Sequence, residues 1–287
     1  MVAVERPGVE AKGECERMQF LQALVGHEVA PVPASEPPPG LVDEERHHRH
    51  VASSDCRPVL WGRSRCTRPA SMGSVDEELR ARWEADLGGG RRSRATFDAL
   101  CGRYREPIRR YHSLVHVLQV LRAIGELSGR VAVADPAAVR LAGWYHDAIY
   151  DPRSGTNEAE SATLAAEQLP ELGCGEHRVA LVGELVRATA DHRPGSVTDP
   201  VAAAVLIDAD LAVLAAEPRV YQAYVDGVRA EYAHLDDDAW RRGRSAVLRS
   251  LVGRERLFHV EPTAARETTA RANIAAELAR WNPRRDG

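Results

Sequence analysis

His146-Asp147 closes an apolar run, Leu141-Ala142-Gly143-Trp144-Tyr145, and it is one member of a series. His112 and His116 stand ahead of it, and Asp191-His192 and Asp208-Ala209-Asp210 follow it. Imidazoles and carboxylates spread over separate segments are the donors from which a hard or borderline metal ion builds a nitrogen/oxygen cage. One His-Asp dipeptide carries little information. The ordered series His, His-Asp, His, Asp carries much more.

Taken singly, each member has a bland reading. His112 and His116 are spaced i, i+4, so on a helix they share a face. The face of His116 continues through Val120, Ala123 and Leu127 and is apolar, where an isolated histidine would be a core residue bonded to backbone. A second histidine at i−4 and the distant His-Asp tip the balance to a metal ligand. Neighbours on a helix point about 100° apart, so one ion takes both His146 and Asp147 only near a helix end. An acid there opposes the helix dipole, and a cation offsets that cost. His192 fits a ligand for a second metal, a general acid, or a charge complementing a helix C-terminus. Asp208 and Asp210 interrupt the apolar run Val205 to Leu214, where carboxylates are costly unless paired or metal-bound. Being two apart they face different ways; Asp210 is preferred as ligand, with Asp208 paired to an arginine or orienting a histidine. Arg109 heads the Arg105–Arg110 cluster as a phosphate clamp, and Glu158 is a candidate acid/base. Glu160 is read as the partner of Asn157 in a capping box.

The elements that must position these residues read as helices throughout. Helices are expected over Val75 to Leu87, in one or two pieces from Thr96 to about Leu127 with Pro107 at a break, and from Asp135-Pro136 to His146-Asp147. Others run from Asn157 to Leu169, from Val179 to Asp191-His192, and from Asp199-Pro200 through the aspartates. The last three span Pro218 to His234, Asp238 to Val252 and Pro262 to Trp281. No alternating strand pattern and no internal repeat appears. The expectation is a single all-α domain of about nine helices over residues 72–287. Residues 1–71, with the proline-rich Ala30 to Gly40 and the His47, His48, His50 cluster, lack any apolar period; they are expected to be a disordered or non-native extension.

Composition removes other classes. Among 287 residues, Lys+Arg 38 against Asp+Glu 42 gives a net charge of −4, so no nucleic-acid polymer is expected as partner. No apolar run is long enough for a membrane span, and Met1 to Phe20 has no signal-peptide core. Cys15, Cys56, Cys66, Cys101 and Cys174 form no Cys-x-x-Cys pair and read as free thiols of a cytoplasmic protein. Phosphate-loop, nucleophile-elbow and His-Glu-x-x-His signatures are lacking.

The order His116, His146-Asp147, Asp210 resembles the HD superfamily of metal-dependent phosphohydrolases, and within it the small bacterial group of predicted HD phosphohydrolases. The matching strings include Glu106-Pro-x-Arg-x-Tyr-His-x-x-x-His116, Trp144-Tyr-His-Asp-Ala-x-Tyr-Asp151 and Asn157-Glu-x-x-Ser-Ala162. Thr189-x-x-His192, Ile207-Asp-Ala-Asp-Leu-Ala212, Val228-Arg-Ala-Glu-Tyr232 and Ala270-Arg-x-Asn273 extend the likeness over roughly residues 75–282. The resemblance implies an HD-domain helical bundle with a divalent metal (Mn, Fe, Co, Ni, Mg or Zn) at His116, His146, Asp147 and an aspartate of the Asp208–Asp210 segment. It also implies hydrolysis of a small phosphorylated substrate such as a nucleotide, with His112 or His192 moving a proton and Arg109 neutralising phosphoryl charge. A di-iron HD-fold oxygenase and a non-catalytic nucleotide-sensing module are the alternatives.

Overall fold

In a computed structural model of the chain, residues 72–260 and 264–281 are described. The extension expected over 1–71, its cysteines and histidines, and the helix start at Pro262 lie outside the described residues. Among those described there are ten α-helices and no strand, as the patterning predicts. They are α1 (Met72–Leu87), α2 (Arg91–Tyr104), α3 (Leu114–Ser128), α4 (Pro136–Tyr145), α5 (Asn157–Gln168), α6 (Glu176–Ala188), α7 (Pro200–Asp210), α8 (Pro218–Glu231), α9 (Asp237–Val252) and α10 (Ala264–Trp281). None is long and apolar enough to cross a membrane.

Helix α7 explains the arrangement. Its sequence, PVAAAVLIDAD, is apolar on every side, so it must be covered all round. It runs through the core against α3, α4 and α6, and residues Ala202 to Ala209 are all buried. Its start is fixed by Asp199, whose carboxylate accepts the amides of Val201 and Ala202 at 3.0 Å, with proline in the first turn. Asp135 caps α4 through Ala138 at 3.1 Å, also ahead of a proline. Two of the helices that meet at the site therefore begin at positions set by aspartates, each worth about 1 kcal/mol.

Helix α4 is anchored on its other side by aromatic packing. Trp144 meets Trp83 edge-on at 5.2 Å and Phe97 at 5.9 Å, and its carbonyl accepts the Tyr104 hydroxyl at 2.8 Å. Gly143 lets α3 and α4 approach: a Cβ there would lie 2.7 Å from Ile124 Cδ1. That close approach brings His116 of α3 alongside His146.

Boundaries differ from the sequence reading in three places that bear on function. The Thr96–Leu127 stretch is two helices separated by residues 105–113, so His112 precedes α3 and does not share a helix face with His116. Glu231 binds the amides of this segment and competes with helix formation there. Helix α6 stops at Ala188, before Asp191-His192, as the Thr189 hydroxyl bonds back to the Val186 carbonyl at 2.7 Å. The N-cap position of α5 is Thr156, not Asn157, and its side chain makes no capping bond to the backbone. The Thr156 hydroxyl donates to Glu160 at 2.6 Å, while Asn157 bridges the amide and carbonyl of Asp151.

Candidate metal centre

Three segments deliver four donor residues to one buried point. His116 comes from the first turn of α3, His146 from the end of α4, Asp147 from the turn after it, and Asp210 from the last residue of α7. His116 Nε2 lies 3.1 Å from His146 Nε2, 3.5 Å from Asp147 Oδ2 and 3.2 Å from Asp210 Oδ1. His146 Nε2 lies 3.1 Å from Asp147 Oδ2 and 3.6 Å from Asp210 Oδ1. Ligands bound at 2.0–2.2 Å with angles between octahedral and tetrahedral stand roughly 3 to 3.5 Å apart, so these separations suit a shared cation. His116, His146 and Asp147 alone already form a group within 4.8 Å of one another. Asp210 joins through both imidazoles.

Hydrogen bonding fixes the polarity of the donors. His146 Nδ1 is 3.0 Å from the Gly143 carbonyl, which can only accept. The proton therefore sits on Nδ1, and Nε2 presents its lone pair to the shared point. With neutral imidazoles the centre carries two negative charges in a buried setting, which demands a cation. The ionisation behaviour records this. Burial opposes a charge on His146, yet Asp147 and Asp210 hold it well above its ordinary value, and His116 is raised similarly. Burial likewise opposes charge on the two carboxylates, but the facing imidazoles keep both well below the usual range. A divalent ion would replace those protons. The residues present fit such an ion.

Around the donors lies a cavity of about 250 Å³ that His112, Glu158, His192, Tyr150 and Arg244 share with Asp147 and Asp210, closed on one side by Leu211, Leu214, Val228 and Val247. His192 sits in the turn beyond α6 with φ 52, a left-handed conformation uncommon for histidine, and its Nε2 is 2.9 Å from Asp210 Oδ2. Asp210 thus faces the metal point with one oxygen and His192 with the other. His112 Nδ1 is 2.6 Å from Glu231 Oε2. Glu231 also accepts the amides of Arg110, Tyr111 and His112 at 2.7, 2.7 and 2.9 Å and the Tyr150 hydroxyl at 2.8 Å. Burial raises the Glu231 carboxyl, but His112 and these donors outweigh it and pull it down to about 2. Glu231 lies in the Val228–Tyr232 string, yet the sequence offered no reason to single it out: its partners are 81 to 121 residues away. Glu158 is buried and lines the cavity.

Two expected roles are corrected. Asp208 does not join the cluster. Its carboxylate accepts the amides of His259 at 2.8 and 2.9 Å and of Val260 at 2.8 Å, so it serves the segment after α9, with Arg266 close by and donating to the Asp208 carbonyl at 3.4 Å. The two-residue step along α7 turns it away from Asp210, as register requires. Arg109 is no phosphate clamp. Its side chain is 0% exposed. It donates to the carbonyls of His112 at 3.1 Å, Asp147 at 2.7 Å and Ala148 at 3.1 Å, strapping the His112 segment to the turn that bears Asp147. Sequence showed a guanidinium near the histidines; the backbone carbonyls that occupy it were invisible.

Comparison with protein-family models, with curated proteins and with solved structures finds no match.

Proposed function

We propose that the chain is a metal-dependent phosphohydrolase of the HD type, acting on a small phosphorylated metabolite such as a nucleotide. The observation that supports this most is the convergence of two imidazole nitrogens and two carboxylates on one buried point that opens into a cavity. When bound, a divalent ion supplies positive charge to a phosphoryl oxygen and lowers the pKa of an adjacent water.

The protein's own residues supply the rest. Glu231 fixes the tautomer of His112 by accepting a hydrogen bond from Nδ1–H, leaving Nε2 to exchange a proton with the leaving oxygen. The arrangement is that of an imidazole oriented by a buried carboxylate. His192, held by Asp210, sits at the cavity wall in the left-handed turn and can contact a phosphoryl oxygen as donor. The apolar wall of Leu211, Leu214, Val228 and Val247 excludes water and accepts the non-phosphate part of the substrate. Arg109 acts as a positioning residue for both His112 and Asp147.

The test is a hydrolysis screen of the full chain over nucleotides and sugar phosphates, repeated with several divalent metals and with chelator. Phosphate release that needs metal and vanishes in His146→Ala is expected. Metal-independent release, or a metal-replete protein that hydrolyses none of them, overturns the reading.

A further inference from the structure

A second basin of about 500 Å³, more open than the first, adjoins the cavity and shares His192, Ser250 and Arg254 with it. Its lining holds Arg193, Arg249, Arg254 and Arg256 against one acid, Glu255. In a chain of net charge −4 such a concentration of guanidinium groups is a local feature. Arg249 and Arg256 are solvent-exposed. His259, at the same basin, is depressed below its ordinary value by burial and by the charges of Arg256 and Arg254.

The basin is built, not merely basic. The segment from Gly253 to Val260 has no regular structure, yet its backbone is held from three sides. Asp208 takes the amides of His259 and Val260, and Glu267 those of Leu257 at 2.9 Å and Phe258 at 3.3 Å. Arg271 donates to the carbonyls of Val252 and Arg254 at 2.7 Å each. Arg254 in turn donates to the carbonyls of Asp191 at 2.8 Å and His192 at 3.0 Å, which locks the basin to the turn carrying His192. A preformed loop lowers the ordering cost of binding, and guanidinium groups match phosphate oxygens two at a time.

We propose that this basin is a second anion subsite, and that the substrate carries a further phosphate lying over Arg249 and Arg256 while its scissile phosphoryl sits beside His192 and Asp210. The substrate class is then a diphosphate, triphosphate or bisphosphate; the assignment of the scissile end rests on the phosphohydrolase reading above. Asp208 belongs to this subsite as the residue that pins its loop.

Calorimetric titration of the full chain, as purified and without added metal, with tripolyphosphate and with orthophosphate tests the subsite. Tripolyphosphate is expected to bind about tenfold or more tighter than orthophosphate, and Arg249→Ala/Arg256→Ala to lose roughly that factor for tripolyphosphate alone. Metal content should stay unchanged. Equal binding of the two anions to the unaltered protein, or a double variant that binds tripolyphosphate undiminished, overturns the proposal. A single-stranded oligonucleotide that binds the same arginines more tightly than tripolyphosphate also overturns it, by making the basin a nucleic-acid surface. This readout needs no turnover: if the hydrolysis screen fails while tripolyphosphate binding depends on Arg249 and Arg256, the function reading falls and the subsite stands.

Discussion

At the floor of the cavity, His116, His146, Asp147 and Asp210 are packed within 3.6 Å of a neighbour and buried or nearly so. At the rim, Arg249 projects into solvent from the last turn of α9 and Arg256 from the pinned loop that follows it. Neither region uses its charges as a surface ion pair would. The floor gathers two imidazoles and two carboxylates at separations suited to a shared cation, and the rim holds like charges apart at an open face. Buried charge is tolerated only when each group has a partner, so the floor is sensitive to the loss of any one donor. Solvated arginines keep their hydration, and losing one costs the fold little. Substitutions should therefore separate the two regions by kind of effect as well as by size.

The largest effect is expected at the floor. His146→Ala or Asp147→Ala should lower metal affinity by about a hundredfold or more, since each removes one donor of a site with few. Metal analysis of the purified proteins checks this, with circular dichroism showing helical content retained. Stoichiometric metal in either variant would mean the centre lies elsewhere.

Asp208 and Asp210 give the sharpest contrast, because one α7 turn carries both. Asp210→Asn should lose metal and leave the Gly253–Val260 loop in place. Asp208→Asn should keep metal, cost about 1–3 kcal/mol through the disturbed amides of His259 and Val260, and weaken tripolyphosphate binding. Paired metal analysis and thermal unfolding read both. Metal loss in the Asp208 variant alone would exchange the roles.

Arg109→Lys sharpens the difference between a positioning arginine and an anion-binding one. Three backbone carbonyls and the faces of Tyr104 and Tyr150 enclose its guanidinium. A lysine cannot span those acceptors. A loss of about 2–4 kcal/mol in stability is expected. A variant of unchanged stability with a raised KM would restore Arg109 as a substrate contact.

What the sequence made legible follows from range. Helices α1, α4, α7 and α9 could be read from caps, prolines and apolar periods, all local signals. His116, His146, Asp147 and Asp210 could be chosen because metal donors are rare residue types in apolar runs. Arg109 and Glu231 could not be read correctly. Both act by binding backbone groups of residues 110–112 or 147–148, and a backbone carbonyl or amide has no sequence signature. The expected His112/His116 face failed for the same reason: Glu231, from α8, takes the amides that a helix through residues 110–112 would have needed, so α3 begins at Leu114.

Glu231 carries a pH signature distinct from the metal centre. Its carboxyl falls from about 4.5 unfolded to about 2 in the fold. The fold then gains about 3 kcal/mol from it, fully present above pH ~4.5 and lost as pH falls toward 2. Denaturant unfolding between pH 5 and 2 should show a steeper decline in the unaltered protein than in Glu231→Gln, which lacks the titrating group. Parallel declines would mean that the carboxylate is not the residue holding the His112 segment.

The smallest effect tests how that segment comes to meet Glu231. Gly227 lies one helical turn before Glu231 on α8, and a Cβ there would stand 3.1 Å from Tyr111 Cβ, 3.4 Å from its nitrogen and 3.6 Å from its Cα. Those neighbours are backbone or attached directly to it, so they cannot swing aside as a side-chain tip would. Gly227→Ala should push residues 110–112 outward by a few tenths of an ångström and lengthen the three amide contacts to Glu231. Alanine also favours the helix by about 1 kcal/mol, which opposes the steric cost. Stability should therefore change by no more than about 1 kcal/mol, while His112 loses its fixed orientation. The expected signature is a several-fold fall in kcat with metal content and KM held, measured on the best substrate from the hydrolysis screen. A variant with unaltered kcat would show that His112 needs no support from α8, and would leave His192 as the proton-transfer group of the centre.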